Sequence, residues 1–171
     1  MGWAVAFTPL EPRDLPLLHA WLQRPHVQRW WSEHGAYDGT VAHYLPSIEG
    51  TDPTDLYLIL LDEQPVGFIQ TYLVGDYPEW AALTGCGEGV AGVDLLIGEP
   101  ELTGRGLGTE VLRRFVDDVV FARAETVACI ADPDAENAAS LGAFERAGFA
   151  RVQEFVDPED QRTHLLVRRD R

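Results

Sequence analysis

The sequence predicts a mixed α/β domain in which a central twisted sheet is flanked by helices. Three observations carry this expectation. An apolar run at 90–97 leads through a glycine-rich turn into a strongly amphipathic helix and then into a second buried run at 126–131. Ahead of it, residues 56–61 and 66–72 are β-prone runs joined by Asp62, Glu63, Gln64 and Pro65, the pattern of a hairpin. The 171 residues, 46% hydrophobic and 24% charged, suffice to bury one core without staples, so a single domain over 1–171 is expected.

Each element follows from its own pattern. Residues 5–10 read as a first strand, after which Pro12 opens a helix that places Leu15, Leu18, Trp21 and Leu22 on one face. Further short helices are expected over 27–31 and 40–48, and 75–89 reads as a long irregular loop. After the strand at 90–97, the residues Val111, Leu112, Phe115, Val116, Val119 and Val120 form a continuous apolar stripe that suits a helix lying on a sheet. Residues 137–147 read as a helix closed by Gly148, and 151–156 with 164–167 as a last hairpin.

Composition narrows the function. Thirteen Lys and Arg against 28 Asp and Glu give a net charge of -15, which repels nucleic acid and anionic membranes and attracts cations. No apolar run approaches the roughly 20 residues of a membrane helix, and the start of the chain lacks a signal-peptide pattern, so a cytoplasmic protein is expected. Cys86 and Cys129 form no metal-ligand spacing, and neither do His19, His26, His34, His43 and His164; no metal is expected.

The sharpest local signal is Leu102-Thr103-Gly104-Arg105-Gly106-Leu107-Gly108-Thr109, between a strand and the start of an amphipathic helix. Alternating glycines let a ligand approach the backbone, and the N–H groups and positive dipole end of a helix suit a pyrophosphate. The spacing is not that of a dinucleotide-binding G-x-G-x-x-G turn, and a plain glycine-rich turn is the simpler alternative. A second block, Asp132-Pro133-Asp134-Ala135-Glu136-Asn137-Ala138-Ala139-Ser140 followed by Ala143-Phe144-Glu145-Arg146-Ala147-Gly148-Phe149, adds to it. Together the two blocks resemble the GNAT superfamily of acetyltransferases. The resemblance implies a GNAT fold whose two parallel strands splay apart for acetyl-CoA. It assigns the cofactor to Leu95, Leu96 and Ile97, to Thr103, Gly104, Arg105, Gly106, Leu107, Gly108 and Thr109, and to Asn137. Two positions depart from the family: Thr103 stands where Gln or Arg is common, and Phe144 where many members have a tyrosine thought to protonate the leaving thiolate.

The amino-terminal half is similar to the bacterial aminoglycoside 6'-N-acetyltransferases and their siderophore-acetylating relatives. The matching stretches are His19-Ala20-Trp21-Leu22, Arg29-Trp30-Trp31, Tyr44-Leu45-Pro46-Ser47, Pro65-Val66-Gly67-Phe68 with Gln70 and Tyr72, and Gly92-Val93-Asp94-Leu95-Leu96. That likeness implies direct transfer of acetyl to the 6'-amine of an aminoglycoside, a small cationic acceptor, by a monomer or weak homodimer. A siderophore precursor or a protein amino terminus is an alternative acceptor, and a non-catalytic acyl-CoA sensor an alternative of another class. An ionisable group within Val93-Asp94-Leu95-Leu96-Ile97 is costly if buried alone, so Asp94 is expected to face the cleft. The resemblance makes Asp94 the base or the anchor of the reacting amine; a carboxylate capping nearby backbone is the structural alternative. Asp132 is the corresponding candidate toward acceptor amines, although Asp-Pro also opens turns. Trp30, Tyr44, Tyr72, Asp76 and Trp80 complete the candidate acceptor site, with Asp52 as a lesser candidate.

Overall fold

Alternating apolar positions become strands of one mixed sheet, and the longer-period segments become the helices between them. The computed structural model describes residues 2–33 and 35–171. The strands are β1 (Val5–Pro9), β2 (Asp55–Leu61), β3 (Gln64–Leu73), β4 (Val90–Ile97), β5 (Ala128–Ala131), β6 (Ala150–Val156) and β7 (Thr163–Asp170). They are hydrogen-bonded in the order β1-β2-β3-β4-β5-β7-β6. The β4–β5 pair is parallel, whereas β5–β7 and β6–β7 are antiparallel. The helices are α1 (Leu15–Leu22), α2 (Pro25–Gln28), α3 (Tyr37–Glu49), α4 (Pro78–Thr84), α5 (Leu107–Phe115) and α6 (Ala138–Arg146). Sheet and helices together are the mixed α/β architecture that the sequence pattern implies. Among the described residues no helix is long and apolar enough to cross a membrane.

The chain forms two compact units, one from Met1–Gln70 with Asp94–Thr103 and the other from Thr71–Val93 with Gly104–Arg171. In the first, Leu15, Leu18, Trp21 and Leu22 of α1 are buried together with Tyr44, Leu56, Leu58, Phe68 and Leu96. Each such side chain contributes about 1.5–3 kcal/mol by leaving water. The Trp21 indole N–H donates to Glu99 at 3.1 Å and the Arg24 guanidinium to the same carboxylate at 2.7 Å, which ties α1 to the residues just after β4. The β2–β3 connection is tighter than the four residues that the composition presents as a loop. Asp62 and Glu63 alone make the turn, at φ 48° and 66°, and Gln64 and Pro65 already belong to β3. Two successive left-handed residues match the twist of a hairpin, which is why the shorter turn wins.

In the second unit the core joins Val74, Val90, Ala128, Ile130 and Leu166, with Tyr72, Trp80, Cys86 and Phe155 packed against it. The segment 75–89, which reads as an irregular loop, instead contains α4 after a 3-10 turn at Val74–Asp76. Pro78 stands at its start, where its missing N–H has no consequence, and Gly85 closes it at φ 70°. A seven-residue helix is too short to show a period, so these punctuation marks were its only signature. Helix α5 buries Leu107, Val111, Leu112 and Phe115, then widens into a π turn at Val116–Val120 in which Phe121 N donates to Val116 O at 2.8 Å. The extra residue per turn re-phases the stripe, so Val120 is buried whereas Val119 is only half-buried. The parallel ladder runs from Val90↔Ala128 to Gly92↔Ile130 and ends there, as expected of parallel strands that part toward their carboxyl ends.

Candidate functional site

Within the first unit, Leu96 of β4 is buried in the core, while Asp94, Leu95 and Ile97 are half-buried. The Gln70 side-chain amide donates to Asp94 Oδ2 at 3.0 Å and so orients the carboxylate. Tyr44 is buried, and its hydroxyl donates to Glu33 Oε2, which also accepts from the Trp31 indole at 3.1 Å. His43 Nε2 lies 2.9 Å from the other oxygen of Glu33. Burial pushes Glu33 up, but the bonds from His43, Tyr44 and Trp31 outweigh it and hold the carboxyl below its ordinary range. Burial, then the charges of Glu33 and Asp94, push the Tyr44 phenol far above its usual range, so it stays a neutral donor.

The tryptophan pair divides its roles. Trp31 packs edge-on against Phe68 at 6.1 Å, whereas Trp30 is half-buried beneath the Arg29 guanidinium at 4.7 Å. Asp52 accepts from Ser47 Oγ at 3.1 Å and from the Thr54 backbone at 2.9 Å, which makes it a turn residue. His19 lies 2.8 Å from Thr40 Oγ1 and His26 2.8 Å from the Ile97 carbonyl; His34 lies outside the described residues.

The second unit carries the glycine-rich loop. Gly106 is the N-cap of α5 at φ 84°, a conformation that requires glycine, and Gly104, Arg105 and Gly106 are exposed. The N–H groups of Leu107, Gly108 and Thr109 precede the first intrahelical acceptor, so with the dipole they offer an anion site. Leu107 and Thr109 are buried and anchor the turn; a Cβ on Gly108 would lie 3.8 Å from Ala143 of α6. Thr103, just before the loop in the first unit, donates its hydroxyl to Pro100 O at 2.7 Å. Asn137 caps α6, accepting from Ser140 N at 3.1 Å. Phe144 is buried, edge-on to Phe149 at 5.1 Å.

Gly92 is bare for a different reason: a Cβ there would fall inside the ring of Tyr72, which lies across the strand and meets Tyr77 edge-on at 5.4 Å. Trp80 is half-buried against Phe155 at 5.7 Å, and Asp76 is exposed. Asp132 is half-buried at the end of β5, where its Oδ2 lies 3.0 Å from His164 Nδ1. Asp157 and Asp160, from the β6–β7 turn, approach the same imidazole at 3.8 Å and 2.8 Å. Burial raises the Asp132 carboxyl above its ordinary value despite the opposing bond from His164. The sequence reading missed His164, Asp157, Asp160 and Glu33. The string Asp157-Pro158-Glu159-Asp160 signals a turn, but nothing local points from it to Asp132.

The acetyltransferase (GNAT) domain family matches residues 11–157. The chain belongs to the GNAT acetyltransferase family. It is 30% identical to the aminoglycoside N(6')-acetyltransferase type 1 of Klebsiella pneumoniae over 97% of this chain and 84% of that protein, and equally to its Serratia marcescens counterpart. The crystal structure of aminoglycoside acetyltransferase AAC(6')-Ib with coenzyme A and kanamycin superposes with a TM-score of 0.83 at 26% identity, covering 98% of this chain and 95% of that one. As a GNAT enzyme the protein is an acetyl-CoA-dependent N-acetyltransferase. Its glycine-rich loop, its Asn137 block and both aspartates lie within the matched region.

Proposed function

We propose that the protein transfers acetyl from acetyl-CoA directly to the 6'-amine of an aminoglycoside, and that Asp94 engages the reacting amine. The observation that carries the acceptor is the similarity, over 97% of the chain, to enzymes named for that position. The setting of Asp94 supports it. The Gln70 amide orients the carboxylate, and a carboxylate so placed is the kind of group that holds an ammonium and receives its proton. The net charge of -15 favours capture of a polycation. On this reading the loop 103–109 holds the pyrophosphate, and Leu95, Leu96 and Ile97 run beside the pantetheine. Asp132 takes a second amine of the acceptor.

Holding amine and thioester in line removes on the order of 7 kcal/mol from the barrier, so no acetyl-enzyme is required. Phe144 supplies no hydroxyl to the departing thiolate. With a thiol pKa of about 8.5, that leaving group departs without a dedicated acid. On this reading the protein acts in the cytoplasm. The test is thiol release with kanamycin and with a congener carrying a hydroxyl at 6', the product position being read by NMR. Turnover of the first and not of the second is expected. Transfer only to a hydroxylysine or to peptide amino termini would overturn the acceptor assignment.

A further inference from the structure

His164 itself belongs to no motif that the sequence reading singled out, yet its imidazole ties Asp132, the first residue of the second block, to the β6–β7 turn. The imidazole is 12% exposed. Its Nδ1 faces the Asp132 carbonyl at 2.7 Å and Asp132 Oδ2 at 3.0 Å, while Nε2 faces Asp160 Oδ2 at 2.8 Å. Asp157 Oδ2 stands 3.8 Å from Nδ1, and Phe155 covers the ring with its centroid at 5.8 Å.

Both nitrogens thus meet acceptors only. A neutral imidazole has one N–H and could serve one side; only the imidazolium donates to both. In that form it has no lone pair for a metal ion, although Asp132, Asp157 and His164 offer atoms within 4.8 Å of one another. Burial alone would lower the imidazole pKa, but the bonds to Asp132 and Asp160 push it up to about 10.

The turn is built to hold the ring. Asp157 spends Oδ1 on Glu159 N at 2.7 Å and Asp160 spends Oδ1 on Arg162 N at 2.8 Å, so each presents Oδ2 to His164. On the neighbouring segment Asp134 Oδ1 accepts from Glu136 N at 2.8 Å, and Arg162 Nε lies 2.8 Å from Asp134 Oδ2. The carboxylates around the imidazole therefore outnumber the cations, and the cluster keeps negative charge for a ligand.

We propose that His164, bridging Asp132 to the β6–β7 turn, is a positioning residue for the acceptor: it fixes Asp132 Oδ2 and directs Oδ1 to an ammonium of the substrate. The proposal rests on the assignment of Asp132 to an acceptor amine. Its action is on Asp132, so acceptor KM responds while turnover and acetyl-CoA affinity do not. The two nitrogens can be separated by substitution. Asn places an amide N–H near Nδ1 and retains the bond to Asp132, whereas Gln places it near Nε2 and retains the bond to Asp160.

The experiment is steady-state kinetics with kanamycin on the full chain for His164→Ala, His164→Asn, His164→Gln and Asp132→Asn. Thermal unfolding of each variant and ¹⁵N NMR of the wild-type histidines accompany it. We expect His164→Ala and His164→Gln to raise kanamycin KM about tenfold, the loss of one charge-assisted bond, with kcat within threefold. His164→Asn stays within threefold of wild type in KM, and both His164 nitrogens carry protons at pH 8. A destabilised fold alone would lower Tm in all three His164 variants and would not sort Asn from Gln. If Asp132→Asn raises KM but the three His164 variants do not, the positioning role is overturned and the acceptor role of Asp132 stands. If Asp132→Asn leaves KM unchanged, that acceptor role falls and takes this proposal with it. A neutral His164 at pH 8 overturns the proposal independently of activity.

Discussion

Replacing Asp94 by Asn isolates charge from shape. The Asn side-chain oxygen can accept from Gln70 as Asp94 Oδ2 does at 3.0 Å, so the local hydrogen bond and the fold survive. What disappears is the carboxylate. If its task is only to hold an ammonium, the loss is one charge-assisted hydrogen bond of about 1.5–3 kcal/mol, or roughly 10- to 150-fold, and it falls on acceptor KM. If it takes the proton during attack, turnover drops by about 10²- to 10⁴-fold and the acidic limb of the kcat/KM profile is lost. We expect the second pattern to dominate, because Asp94 lies on the strand assigned to the thioester. Thiol-release kinetics from pH 5.5 to 9, beside calorimetric titration of acetyl-CoA, measure both. A folded variant with unchanged acetyl-CoA affinity and kanamycin kinetics within threefold of wild type would refute the role of Asp94.

Three further outcomes follow from the geometry. Gly108→Ala should stabilise α5 by up to about 1 kcal/mol, since the added Cβ would stand 3.8 Å from Ala143, yet it should weaken acetyl-CoA by crowding the anion site; titration beside thermal unfolding checks both signs. Phe144→Tyr places a hydroxyl in a buried site against Phe149 and should change turnover by less than about tenfold while lowering stability by about 1–3 kcal/mol. Thiol release and urea unfolding read these, and a hundredfold gain in turnover would show that the missing acid limits the enzyme. The folded imidazole of His164 titrates near 10, above the ordinary value of about 6.5. Its contribution is therefore complete below about pH 6.5 and is lost as pH rises toward 10, by about 1–2 kcal/mol once screening by solvent at the turn is allowed for. Urea unfolding of wild type should fall across that window relative to His164→Gln.

The two halves of the candidate site differ in how far sequence alone reveals them. The cofactor loop is legible because its chemistry is local: a left-handed Gly106, a helix start and an apolar stripe all fall within one short segment. The same holds for Asp94, whose charge interrupts an apolar strand. The turn Asp62-Glu63 and helix α4 were misread because two positive φ values and a seven-residue helix leave no periodic trace. Tyr44 was legible as a residue of interest but not as one whose hydroxyl is already given to Glu33.

His164 lies at the far end of this scale. Asp132 and His164 are 32 positions apart and meet because β7 pairs with β5, while β6 on its other side carries the Asp157 and Asp160 turn to the same imidazole. The register that sets Phe155 opposite His164 is itself shifted by an irregularity between Arg151 and Gln153. The regular β5–β7 register sets the face that the imidazole presents to Asp132, whereas the irregularity in β6 decides which β6 side chains, Phe155 among them, share that face. Relatives that share the loop and the aspartates can therefore differ in how Asp132 is held while their motifs remain the same. Deleting Val152, which removes the extra residue from β6, is the direct test. It should close the irregularity with Phe155 still opposite His164, and so leave kanamycin KM within threefold of wild type and acetyl-CoA titration unchanged, because β5 and β7 alone set the contact of His164 with Asp132. A folded deletion variant whose kanamycin KM rises as that of His164→Ala does would show that β6 also governs how Asp132 is held.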